Sequence, residues 1–356
     1  MKKLILTLTI ATTLILGCAT PTKEYASLYD MFPKERELTL KDEVVISDPI
    51  FMSSGKGTIY KSHLIAWLSN GNSSDIAVID IKTGEVVQKL LPKGRGRNES
   101  VNAYLVGVYG DEIICYNEVN SSILRLKFDE IYKPTADQNW SKTDLTWDGL
   151  FASKTGFGTL SDDRYIFCGC REDGLFEVID SQSRVLHTFG EYIEVKGDEV
   201  ERMVPYDGMF TPALSYKRML YTSSYGNILY FYDTSDTDSE PKLLNRYDYD
   251  LAKGNVVYFT GGKSVGPDDD DLLGTISVTA SRDRFYLLNS RTRYGDFIKA
   301  SDYASNTILV FDKDGKPIEK LISDRKLINI YYNQDDNLLY SIYENEDGDL
   351  VIATYK

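Results

Sequence analysis

The sequence predicts an all-β fold, a six-bladed β-propeller closed by an N-terminal strand that completes the last blade. Three observations carry the prediction. From about Leu38 onward, short β-branched and aromatic runs alternate with clusters of Gly, Asn, Asp and Ser, the texture of brief strands joined by tight turns. No long stretch shows helical periodicity, and the 26 Tyr residues suit strands. The third observation is an internal repeat of about fifty residues.

The repeat runs as a polar turn, an apolar strand, a second turn, and a strand often ending in Asp. It begins with Ser62 to Trp67, followed by Ile76 to Asp80 and Gly84 to Val87. It returns as Asp111 to Tyr116 with Ile123 to Asp129, and as Asp163 to Cys168 with Leu175 to Asp180 and Arg184 to Phe189. The fourth copy is Lys217 to Tyr221 with Ile228 to Asp233. The fifth is Asp283 to Leu287 with Ile308 to Asp312 and Ile318 to Ile322. The last is Asp336 to Tyr340 with Leu350 to Tyr355. Matching positions Ile65, Ile114, Ile166, Leu220, Tyr286 and Leu339 lie 49, 52, 54, 66 and 53 residues apart. A four-stranded sheet cannot bury both faces alone. Packing such sheets around an axis does so, and leaves only short edges. The chain finishes on a strand, which leaves the sixth blade one strand short. Val44-Val45-Ile46 has no blade of its own and is expected to fill that place.

The first residues predict export. Met1-Lys2-Lys3 is basic, Leu4 to Leu16 is apolar and too short to span a bilayer, and Gly17 precedes Cys18. A Cys directly after the small residue resembles a bacterial lipobox, in which Cys18 is lipidated and becomes the new N-terminus. Residues 1–17 then form the lipoprotein signal peptide, 18–37 a lipid-anchored tether with Pro21 and Pro33, and 38–356 the propeller. Losing Lys2 and Lys3 takes the formal charge from −14 to −16. So acidic a surface repels phosphate backbones and excludes nucleic acid as a partner. Cys115, Cys168 and Cys170 remain, an odd number without zinc-site spacing; free buried thiols are expected, with a Cys115–Cys170 pair left open.

The segment Leu90-Leu91-Pro92-Lys93-Gly94-Arg95-Gly96-Arg97-Asn98-Glu99-Ser100, with the lipobox and the blade spacing, resembles the TolB-like six-bladed propeller lipoproteins of Bacteroidetes. Many of these carry a G-x-G-P-x-E-aromatic segment between their first two blades. Gly94, Gly96 and Glu99 match it, whereas Arg97 and Ser100 depart from it. The resemblance implies a propeller in the cell envelope on an outer-membrane lipid anchor, and assigns no chemistry. Ala19 to Glu24 lacks the acidic stretch that resembles surface-export signals, which favours a periplasmic aspect.

In a propeller, connections between blades and between second and third strands emerge on one face. The longest insertions, about 191–208, 249–272 and 291–305, all fall there. The expected ligand-binding residues are Arg95, Arg97, Glu99, Tyr206, Tyr258, Arg291, Arg293 and Tyr294, since rings stack on sugars or peptides and Arg grips carboxylates. No cofactor is expected. Asp268 to Asp271 is dense enough in carboxylate to consider Ca²⁺, but it lacks EF-hand spacing and reads as a solvated run. With only His63 and His187, and no G-x-S-x-G or H-E-x-x-H, no catalytic residues are assigned. The function expected is non-catalytic recognition of a ligand or envelope protein through the loop-rich face. The alternatives are a metal-dependent, lactonase-like hydrolase in the central channel and a structural subunit of an envelope assembly.

Overall fold

The computed structural model describes residues 25–47, 57–69, 74–146, 156–169, 171–193, 199–213, 217–260, 262–300 and 303–356. Residues 1–17, read as a signal peptide, and Cys18 and Cys170 lie outside them. In chain order, β1 (Glu35–Glu37) and β2 (Leu40–Val45) precede blade 1, which comprises β3 (Gly57–Tyr60), β4 (His63–Ser69), β5 (Ser74–Asp80) and β6 (Val86–Leu90). Blade 2 is β7 (Ala103–Tyr109), β8 (Glu112–Asn117), β9 (Ser122–Lys127) and β10 (Ser141–Asp144). Blade 3 is β11 (Phe157–Ser161), β12 (Arg164–Cys168), β13 (Phe176–Asp180) and β14 (Val185–Phe189). After α1 (Glu199–Arg202), blade 4 takes β15 (Gly208–Ala213), β16 (Arg218–Ser223), β17 (Asn227–Asp233) and β18 (Lys242–Tyr249). A separate hairpin follows, β19 (Asn255–Phe259) and β20 (Gly262–Gly266). Blade 5 is β21 (Thr275–Ala280), β22 (Arg284–Asn289), β23 (Ser305–Asp312) and β24 (Pro317–Leu327), with α2 (Tyr294–Ala300) between its second and third strands. Blade 6 is β25 (Asn329–Asn333), β26 (Leu338–Glu344) and β27 (Leu350–Tyr355).

The ring closes. The innermost strands β3, β7, β11, β15, β21 and β25 neighbour one another in a cycle, with β25 returning to β3. Apolar side chains collect between successive blades. The cluster joining the last blade to the first holds Leu64, Ala77 and Ile79 against Tyr331, Tyr340 and Ile342. As expected, the N-terminal strand completes blade 6. β2 pairs antiparallel with β27, placing Val44 opposite Ile352 and Val45 opposite Val351, and the Ile46 amide donates to the Leu350 carbonyl at 2.9 Å.

The Asp that ends the repeat has a structural purpose. Asp80, Asp180, Asp233 and Asp312 each end a third strand, and each carboxylate accepts backbone N–H groups of the turn that follows. In each of these blades the pairing of third and outer strands shifts register shortly before the Asp, bending the outer strand as a bulge does. In blade 2 a short 3₁₀ turn, Phe128–Tyr132, follows the third strand instead.

The N-terminal segment departs from expectation. Residues 25–37, assigned in sequence to a tether, are docked on the propeller. Leu28 is fully buried and Phe32 nearly so, in the cluster between blades 4 and 5, where Phe32 meets Phe311 edge-on at 5.1 Å. Strand β1 then adds to the outer edge of blade 5, parallel to β24. The small and charged residues around them mask two apolar anchors, so the segment reads as a linker.

Candidate functional site

Alternating strand directions put the blade-to-blade connections and the second-to-third-strand connections on one face, here the upper face. Its three large elaborations crowd over blades 3 to 5: the α1 connection into β15, the hairpin β19–β20 ahead of β21, and α2 between β22 and β23. They coincide with the insertions read from the sequence.

The site is built around the acidic run at the foot of the hairpin. Asp271 is 5 % exposed, and its carboxylate accepts the backbone N–H of Lys253 at 2.8 Å, Gly254 at 3.0 Å and Asp268 at 2.8 Å. Three such bonds to one carboxylate fix both ends of the hairpin connection. Asp268 accepts the Asp270 amide at 3.0 Å, and Asp270 pairs with Arg293 at 2.7 Å. Asp271 is therefore engaged with the protein's own donors, while Asp269 and Asp270 face solvent. Among the described residues, no group of three or more His, Cys, Asp or Glu is arranged to hold a metal ion. The backbone of the run carries α2: the Tyr294 amide donates to Asp271 and the Gly295 amide to Asp269.

Above this base lies an aromatic cluster. Tyr225 meets Tyr294 edge-on at 5.8 Å, Tyr294 lies 5.8 Å from Phe297, and Phe297 is 3.8 Å from Tyr303. Tyr225 hydrogen-bonds Tyr303, and burial, followed by Tyr303, Asp207 and Tyr294, pushes its hydroxyl well above the ordinary tyrosine value. Burial also raises Tyr303. Both stay neutral at physiological pH and offer hydroxyl hydrogen bonds rather than charge.

The other predicted residues divide. Arg291 is exposed, and its guanidinium covers the Tyr29 ring at 5.1 Å. Tyr258 is 73 % exposed on the hairpin, beside Val257 and Phe259. Tyr206 is fully buried, its hydroxyl accepting the Ile193 amide at 2.6 Å and its ring edge-on to Tyr192, so it holds the blade 3–4 connection from within. Arg95, Arg97 and Glu99 lie on the blade 1–2 connection, across the ring from the blade 4–5 cluster. Arg95 and Arg97 are exposed, whereas Glu99 folds back to accept the Gly96 amide at 2.7 Å. A Cβ on Gly94 would lie 1.9 Å from that carboxylate, so a larger residue there would displace the Glu99 side chain from its place against the loop. The eight candidates thus form two separate groups plus one core residue.

No protein-family model matches the chain, and no curated protein matches it. Among solved structures it is similar to a protein of Bacteroides fragilis named as an exported protein, with TM-score 0.53 and 9 % identity over 91 % of this chain and 98 % of that one. It is also similar to BamB from Moraxella catarrhalis, at TM-score 0.38 and 13 % identity over 90 % and 99 % of the two chains. A third is glutaminyl cyclase from Myxococcus xanthus, at 0.41 and 8 % over 90 % and 97 %. The first shares the fold. At that identity the likeness extends to nothing finer.

One feature of the site was invisible in the sequence. A buried chain of polar groups links the N-terminal segment to both blades under the cluster. The Tyr29 hydroxyl donates to Asn289 at 2.7 Å, Asn289 to Asn227 at 3.0 Å, and Asn227 to Asp250 at 3.2 Å. No local motif announces a contact spanning 260 residues. The histidines lie elsewhere: His63 begins β4 at the lower face, and His187 is on the outer strand of blade 3. Cys115 is a buried thiol whose pKa burial pushes up, and the buried Cys168 thiol donates to the Tyr206 carbonyl at 3.3 Å. The upper face therefore offers guanidinium groups, neutral phenols and exposed apolar side chains, the equipment of binding.

Proposed function

We propose that this protein is a lipid-anchored envelope lipoprotein of the TolB-like type, whose propeller recognises a ligand or protein partner through its upper face without catalysing a reaction. The observation that carries the reading is that the three longest connections between strands all emerge on one face of the ring, with Arg95, Arg97, Arg291 and Arg293 exposed around it. The leader ending at Cys18 supports export, as does the similar fold of a protein named as exported. No helix among the described residues is long and apolar enough to cross a membrane; the attachment proposed is an acyl chain on Cys18. The test has two arms. Mass spectrometry of the native protein is expected to find an acylated N-terminal Cys18; an unprocessed Met1 terminus contradicts the anchor. The companion retained on the mature chain from detergent-solubilised envelope is expected to bind the Arg293→Ala/Tyr294→Ala double variant at least tenfold more weakly. Unchanged affinity removes the blade 4–5 cluster from the recognition site.

A further inference from the structure

We infer that the β19–β20 hairpin is a membrane-contact element, its apolar strand lying in the interface of the bilayer that holds the anchor. The inference rests on the lipoprotein reading for the anchor and on the structure for the contact. Val257, Tyr258 and Phe259 are consecutive, 56 %, 73 % and 59 % exposed, and belong to a two-stranded sheet that joins no blade. Alternation along a strand sends Val257 and Phe259 to one side and Tyr258 to the other, so both sides of the hairpin are apolar in water. A hairpin covering the propeller would bury one of them. Its foot is held by the Asp271 carboxylate, and nearer the turn Lys263, across from Tyr258, forms a 2.6 Å ion pair with Glu201 of α1. A firmly rooted element that ends in exposed rings is built to meet a surface.

The position of the tether identifies that surface. The first described residues sit at the upper face, over the junction of blades 4 and 5. The Tyr29 hydroxyl bonds Asn289 at the upper end of β22, and Arg291 covers its ring. Asp250, where the hairpin connection leaves blade 4, is close enough to act electrostatically on the same hydroxyl. From Cys18 to Tyr25 the chain makes seven steps, a reach of at most about 25 Å. A five-residue strand is about 17 Å long. An acyl chain on Cys18 therefore holds this edge of the upper face within about 25 Å of the bilayer, about one and a half hairpin lengths at full extension of the tether and less whenever it is not stretched. Ile298 of α2, 54 % exposed, and Tyr303 add apolar surface to the same edge. Tyr and Phe suit the headgroup boundary. The acidic chain disfavours anionic lipid, so the surface is a zwitterionic one.

The test replaces the acyl chain with a defined tether. The mature chain from Ala19, carrying an N-terminal hexahistidine, is attached to phosphatidylethanolamine–phosphatidylcholine vesicles containing a nickel-chelating lipid and brominated acyl chains. A Phe259→Trp variant is expected to lose at least a third of its added tryptophan emission to the bromines. A Trp placed at Leu243, on the outer strand of blade 4, is expected to lose none. In the unsubstituted chain, amide exchange over residues 255–266 is expected to slow at least threefold on the vesicles. Equal quenching at both positions with unchanged exchange overturns the inference, as does protection that depends on protein concentration without lipid, which assigns the hairpin to a second copy. Because the tether is supplied artificially, failure here is distinct from absence of acylation at Cys18, which the mass spectrum reads.

Discussion

Glu43 on β2 and Arg325 at the end of β24, 282 residues apart in sequence, form an ion pair at 2.5 Å that ties the closing strand to the neighbouring blade. Tyr343 of β26 completes the group. Its hydroxyl donates to Glu43 at 3.0 Å and contacts Arg325, whose guanidinium lies 4.5 Å from the ring centre. Arg325 and then Tyr343 hold the Glu43 carboxyl below its ordinary value. Arg325→Ala is expected to cost about 1 kcal/mol, because both charges remain partly in water. The sign for pH follows from the depressed carboxyl. The contribution is present above the ordinary value near 4.5 and is lost as pH falls through the lower folded value. Urea titrations of parent and Glu43→Gln are therefore expected to converge on acidification below that value.

Closure also depends on Gly84. It has φ +72°, and a Cβ there would stand 2.0 Å from the Val45 carbonyl oxygen of the closing strand. Gly84→Ala is expected to cost at least about 2 kcal/mol, combining left-handed backbone strain with a clash. Amide exchange would locate the damage in β2 before the other outer strands. Equal loosening of all six blades would contradict this.

His63 supplies a second pH dependence. It is buried edge-on to Phe128 at 5.5 Å, and burial lowers its pKa, with Lys61 assisting and Asp80 opposing. A His held neutral in the fold stabilises it above the ordinary value near 6.5, and that contribution declines as pH falls below it. The thermal midpoint of the parent is expected to drop between pH 7 and 5 more than that of His63→Gln. Parallel profiles would show that His63 carries no part of the dependence.

Asp271→Ala removes the acceptor for three backbone N–H groups. The expected loss is about 2–3 kcal/mol, felt locally. Exchange protection over residues 253–268 should fall while the strands of blades 1 to 3 keep theirs. Asp269→Ala, at an exposed neighbour, should leave the same segment unchanged.

Removing Asn289 breaks the polar chain under the aromatic cluster. In Asn289→Ala, Tyr29 and Asn227 both lose a buried partner, at an expected cost of about 1–3 kcal/mol. Because Tyr29 is the contact that seats the N-terminal segment, limited proteolysis should cut near residues 25–34 faster than in the parent. An unchanged cleavage rate would mean that Leu28 and Phe32 suffice.

The ring was legible in the sequence because it is periodic. The recurring Asp at the end of the third strand is needed locally by each turn, so Asp80, Asp180, Asp233 and Asp312 mark the blades in one dimension as they do in three. The vacancy for a closing strand followed from the same count. The long connection that carries Arg291 and Arg293 lies between β22 and β23, on the upper face. Which side of a loop a residue faces is not periodic, however. Tyr206 carries the same chemistry as Tyr258 in sequence, yet one is sealed in the blade 3–4 connection and the other stands in solvent. Glu99 was read as a projecting acid, but two small residues let it fold back on its own loop. Docking of Tyr29, Leu28 and Phe32 depends on partners more than two hundred residues away, and no local pattern encodes such a contact.

The claim that the upper face is the working surface is tested most directly by site-specific photo-crosslinking in the intact envelope. A photoreactive residue is placed in turn at Arg97 and Arg293 on that face, and at Lys82 and Asp314 in turns of the lower face. One discrete crosslinked product is expected from an upper position and none from either lower one. The same product from Lys82 or Asp314, with nothing at Arg97 and Arg293, would contradict it.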